Sequence, residues 1–119
     1  MAHLNTYLTH EGQRYDMYWT SQYAQHVLEN YADPNHGVTH TEIARIIQRA
    51  RYIFPPLQGR GKERPNLYVC LSAFGGQLYE SYVYLLPELR GYPARCVIVT
   101  CYKCRRPEYL ALFSTTVFS

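Results

Sequence analysis

Glu80 stands by itself among tyrosines. Tyr79, Tyr82 and Tyr84 surround it in the stretch Gln77–Leu86. A carboxylate in that setting is either a charge on a wet sheet face or a general base. Two cation groups accompany it. Arg60, Lys62 and Arg64 fall within five residues, interleaved with Gly59 and Gly61. Lys103, Arg105 and Arg106 follow Tyr102. Metal-free RNA cleavage uses such groups. It needs an acceptor for the ribose 2′-hydroxyl proton, cations for the charge that builds on the phosphate, and a donor for the leaving oxygen. Cations also hold phosphate without chemistry, while aromatic and guanidinium planes stack on unpaired bases. The plain alternative for the Arg60–Arg64 stretch is a solvated charge loop. His26 adds an imidazole, four residues before Asn30, and reads equally as a core or boundary histidine. His40 lies inside a helix-capping motif and is expected in solvent.

Cys70, Cys96, Cys101 and Cys104 complete the reactive inventory. Cys101-x-x-Cys104 has a metal-like spacing, but a zinc site wants a second such pair or two suitably spaced histidines. No helix N-terminus is expected beside the pair to lower a thiol pKa. The four are read as reduced, buried small hydrophobes with no metal or cofactor attached.

The elements that must position these groups are legible in part. Leu4, Thr6 and Leu8 alternate, as do Tyr15, Met17 and Trp19, so residues 4–8 and 14–19 read as strands around His10-Glu11-Gly12-Gln13. Thr20 or Ser21 caps a first helix over about 21–31, with Tyr23, Val27, Leu28 and Tyr31 on one face. Thr39-His-Thr-Glu42 is a capping box. The helix it opens is expected to run to about Arg51, with Ile43, Ile46, Ile47 and Ala50 inward and Arg45, Gln48, Arg49 and Arg51 outward. Pro55-Pro56 ends it. Leu67–Phe74, a Gly75-Gly76 turn and Gln77–Leu86 form a hairpin. Arg95–Lys103 is a third strand. Strict alternation there places Ile98, Thr100 and Tyr102 on one face and Val97, Val99, Cys101 and Lys103 on the other. The apolar tail 109–119 either adds an edge strand or covers the core. The predicted fold is a single α+β domain spanning residues 1–119, an antiparallel sheet with two helices on one face.

Several of these features together resemble a known group. They are Ser21-Gln-Tyr-Ala-Gln-His26, Gly37-Val38-Thr39 leading into Glu42-Ile43, the Arg/Gly loop, the glycine hairpin and Val97-Ile98-Val99-Thr100-x-Tyr102. The chain is similar over about 14–106 to the small toxin ribonucleases around BrnT and RelE, of the barnase–EndoU–colicin–RelE fold. Where several relatives carry His-Ala, this chain has Tyr23-Ala24, and His26 is the nearest histidine. Val99, Thr100, Tyr102 and Arg105 keep a Val-Thr-x-Tyr-x-x-Arg pattern. The resemblance implies an RNA-facing site on the open sheet face. Arg60 and Arg105 would stabilise charge, His26 or Glu80 would move the proton, and Tyr102 would stack or hydrogen-bond. Arg60, Lys62, Arg64, Lys103 and Arg106 would hold the RNA. A toxin of a toxin–antitoxin pair, or a phage or mobile-element relative, is then expected, with an antitoxin or other protein partner.

Composition bounds rather than decides the function. Apolar residues at 47% against 18% charged exclude a disordered chain. A net charge of +3 permits nucleic acid without demanding it. Tyr supplies 13 side chains against 4 Phe and 1 Trp, which suits both a sheet and a stacking surface. Met1-Ala-His-Leu-Asn shows no basic region before an apolar run, and no apolar stretch is long enough for a bilayer, so a cytoplasmic protein without membrane contact is expected. Two other functions compete with the enzyme. One is a regulator that grips nucleic acid or a host protein through a Tyr-rich face. The other is an assembly subunit that pairs through an edge strand.

Overall fold

A computed structural model describes residues 2–20, 22, 40–56 and 64–117. Within them lie strands β1 (Ala2–His10), β2 (Gln13–Trp19), β3 (Ala50–Phe54), β4 (Leu67–Phe74), β5 (Gln77–Leu86) and β6 (Arg95–Lys103). Two helices, α1 (His40–Gln48) and α2 (Pro107–Val117), accompany them. Apart from Gln22, the expected helix over 21–31, with His26, lies outside the described residues, as does Thr39 of the capping box. No helix among the described residues is long and apolar enough to cross a membrane.

The six strands form one curled sheet in the order β1-β2-β6-β5-β4-β3. Tight turns explain two of its antiparallel pairs, β1–β2 and β4–β5. Glu11-Gly12 and Gly75-Gly76 each place two successive residues at positive φ, the backbone that matches strand twist in a two-residue hairpin. β2 and β6 instead pair in parallel, from Asp16↔Arg95 to Trp19↔Ile98. The sheet is therefore mixed, which corrects the antiparallel expectation. Only hairpin-linked neighbours must alternate in direction; β2 and β6 are joined by a long excursion through α1 and three strands.

The helix opened at His40 also departs from expectation. It stops at Gln48, and Ala50–Phe54 becomes β3. Tyr52, Ile53 and Phe54 favour a strand, and Pro55 disfavours helical backbone just before it. Ile43, Ile46 and Ile47 are fully buried, against Met17, Cys70, Val83, Cys96, Ile98 and Cys101. The tail does not pair as a strand. Pro107 opens α2, where its missing N–H costs nothing, so a helix does follow Cys101-x-x-Cys104, contrary to expectation; burial still raises the Cys104 thiol. Tyr109 and Phe113 then bury against Val69 and Leu71. Val69 and Leu71 alternate with Cys70, so α1 and α2 cover opposite faces. Of the two helices expected on one face, the first lies outside the described residues; the tail helix α2, which was not expected, covers the face opposite α1.

A bulge in β6 overturns the simple alternation. Tyr82 pairs with Thr100 and Val83 with Ile98, which leaves Val99 as the extra residue. From there on the faces exchange. Ile98 joins Cys101 on the α1 side, while Thr100 and Tyr102 lie on the α2 side.

Burial keeps the thiols of the α1 side protonated. It pushes Cys96 up to about 12 and Cys101 up to about 11, and raises Cys70 well above its ordinary value. A thiol raised above its unfolded value near 9 contributes stability below that pH and loses it as pH rises through the folded value. The unfolding temperature should therefore fall between pH about 9 and about 12, and less steeply in Cys96→Ala. A wild-type curve flat across that window would rule the thiols out as the cause.

Candidate active site

The transverse row Leu71↔Glu80↔Tyr102 crosses three strands on the α2 side, and Val69↔Tyr82↔Thr100 lies beside it. Alternation along β5 gives Glu80 and Tyr82 the same face. The bulge at Val99 brings Tyr102 onto it too. Beyond β6, the Cys104 N–H donates to the Leu78 carbonyl at 2.8 Å, so the chain stays against β5. Arg106 then sits at the mouth of α2, its carbonyl accepting from Tyr109 N at 3.1 Å and Leu110 N at 2.9 Å. That backbone position fixes where the guanidinium starts.

All three polar neighbours converge on one atom. Glu80 Oε2 accepts from the Tyr82 hydroxyl at 2.8 Å, the Tyr102 hydroxyl at 3.2 Å and Arg106 Nε at 3.3 Å. The Tyr82 and Tyr102 rings stack with centroids 6.1 Å apart and planes 28° apart. Glu80 is 1% exposed while the Arg106 side chain is 45% exposed. Of the two readings open for Glu80, a charge on a wet sheet face is excluded by this burial. Burial is tolerated because the carboxylate has a cation and two hydroxyl donors. Its other oxygen, Oε1, has no hydrogen-bond partner among the described residues.

The cluster shifts its own chemistry. Burial, then the hydrogen bond to Glu80, pushes the Tyr82 hydroxyl far above the usual tyrosine range. Burial raises Tyr102 as well, against the lowering pull of its hydrogen bond with Tyr82 and of Arg106. The neighbouring Tyr82, the Tyr102 hydrogen bond and Glu80 hold Arg106 more firmly protonated than usual, against desolvation. Both hydroxyls thus stay neutral donors at ordinary pH. Arg106 donates Nε to Glu80 and also hydrogen-bonds Tyr102, while its side chain stays 45% exposed to solvent.

The residues singled out from sequence are distributed unequally. Glu80, Tyr102 and Arg106 meet. Arg105 is exposed beside Arg106. Lys103 pairs with Tyr79 and falls on the α1 side, opposite Tyr102. His26, Arg60 and Lys62 lie outside the described residues. Arg64 is exposed, and its carbonyl accepts from Leu67 N at 3.4 Å, at the start of β4. From there to the Glu80 row is four residues of strand, about 13 Å at ~3.3 Å each. Arg64 is therefore not brought to Tyr102 and Arg106. Sequence reasoning gave Tyr82 no role, although its spacing of two from Glu80 was the available signal. Among the described residues no group of three or more His, Cys, Asp or Glu is arranged to hold a metal ion. No protein-family model, curated protein or solved structure matches the chain.

Proposed function

We propose that this protein is a small metal-independent ribonuclease whose site is the Glu80–Tyr82–Tyr102–Arg106 cluster. The observation that carries the reading is a carboxylate within hydrogen-bond distance of both a half-exposed arginine and two tyrosine hydroxyls. The solvent-exposed side of the Arg106 guanidinium binds the scissile phosphate and stabilises the charge that develops on it. Tyr102 takes the proton of the 2′-hydroxyl as it passes its own to Glu80. The 2′-oxygen bonds to phosphorus, the bond to the 5′-oxygen breaks, and water protonates that leaving oxygen. Glu80 then returns its proton through Tyr102 to solvent. The resemblance to BrnT- and RelE-type toxins extends the proposal to a RelE-like fold, to action in the cytoplasm and to masking by a protein antitoxin. It also keeps a phage or mobile-element origin in view.

The burial of Glu80 favours a second reading. A carboxylate this enclosed also serves purely to aim Arg106, in a protein that grips RNA without cutting it. One experiment separates the two. The protein is incubated with single-stranded RNA at low salt in EDTA, and both binding and product ends are followed. Fragments ending in 2′,3′-cyclic phosphate support the enzyme. Binding without fragments supports the grip alone, and neither one removes RNA as the target.

A further inference from the structure

The row Ala50↔Ser72↔Tyr79↔Lys103 crosses four strands. It puts the start of β3 and the end of β6 at one end of the sheet, about 14 Å apart at ~4.8 Å per strand step. Arg49 immediately precedes β3. Arg51 is the extra residue of a β3 bulge, since Ala50 pairs with Ser72 and Tyr52 with Leu71. Arg45 lies one helical turn back from Arg49 on α1. All three are exposed. Lys103, Arg105 and Arg106 stand on the other side of the Gly75-Gly76 turn. Cations far apart in sequence thus gather around one hairpin end.

Two features hold the α1 side of this group in place. The Arg49 guanidinium lies over the Phe74 ring, 5.3 Å from its centroid, on the strand that ends at the turn. Gln48 Nε2 donates to Thr6 Oγ1 at 2.6 Å and to the Tyr7 carbonyl at 2.9 Å, which ties the end of α1 to β1. Aromatic rings interleave with the charges: Phe74 beside Arg49 and Tyr102 beside Arg106. Alternating cations and rings suit a single-stranded backbone with stacking bases better than they suit a carboxylate surface.

We propose that single-stranded RNA held at Arg106 continues across the Gly75-Gly76 turn onto Arg49 and Arg51. This inference rests on the RNA reading of the Arg106 site and extends it to a second set of phosphate contacts. Each of these arginines also has a purely structural use. Arg45 and Arg49 complement the negative end of α1, and a charged bulge at Arg51 guards the β3 edge against pairing.

The test is fluorescence anisotropy with a labelled oligouridylate of ~12 nucleotides, long enough to span such a track, over a series of NaCl concentrations. The variants are Arg49→Gln/Arg51→Gln and, separately, Arg106→Gln. Loss of two phosphate contacts should flatten the log-affinity against log-salt slope by about 1.4, at roughly 0.7 per contact. Circular dichroism melts check that the double variant is folded. If wild type binds and Arg106→Gln weakens binding while a folded double variant keeps the wild-type slope, the track is wrong and the Arg106 site stands. If wild type does not bind RNA, both readings fall. Binding of polyglutamate in its place, lost in the double variant, then makes this end a docking surface for acidic protein.

Discussion

Arg106→Ala should lower RNA cleavage about 100- to 1000-fold, the usual loss when one preorganised charge-stabilising donor is removed. The fold should survive, because Arg106 is half exposed and Glu80 keeps both tyrosine donors. Arg106→Lys should restore only part of the rate. A lysine presents a point charge, and it has no second face with which to hold Glu80 and phosphate together. Tyr102→Phe tests the proton path separately. It keeps the stacking ring and removes the hydroxyl, so cleavage should fall while RNA affinity holds. Initial rates on a defined oligonucleotide, beside anisotropy for binding, read both effects. Wild-type cleavage by Arg106→Ala would falsify the assignment of the site.

Glu80→Ala should be the most destabilising change in the site. It strips the shared acceptor from Tyr82, Tyr102 and Arg106 at once. Breaking a fully buried pair costs several kcal/mol. Here Arg106 reaches solvent and rehydrates, so about 2–3 kcal/mol is expected, mostly from the two half-buried hydroxyls and the cavity left in the sheet face. Glu80→Gln retains an acceptor oxygen of the same shape and should lose less. Urea unfolding midpoints of the three proteins give the comparison. Equal midpoints for wild type and Glu80→Ala would mean that the cluster is not holding this face together.

The local elements closest to the site were legible from residue pattern. Leu67–Phe74, the Gly75-Gly76 turn, Gln77–Leu86 and Arg95–Lys103 have the bounds that alternation and turn chemistry indicate. Each is a short-range property, set by side-chain period and by which residues tolerate positive φ. Glu80, Tyr102 and Arg106 were recognisable as chemistry-bearing residues because their types are informative wherever they sit.

What brought those residues together lay beyond any local signal. The bulge at Val99 moved Tyr102 to the face opposite Ile98, because one added residue inverts a period of two. The parallel pairing of β2 with β6 and the entry of residues 50–51 into β3 instead of the helix end depend on partners distant in the chain. Burial of Glu80 depended on α2 covering the face on which it lies, and on Cys104 holding the chain so that Arg106 turns back over the carboxylate. The sequence by itself determined the period of each strand, the turns and the supply of acid, tyrosine and cations. Tertiary structure decided which of them share a face, because register and coverage are set by packing between elements that local propensity does not see.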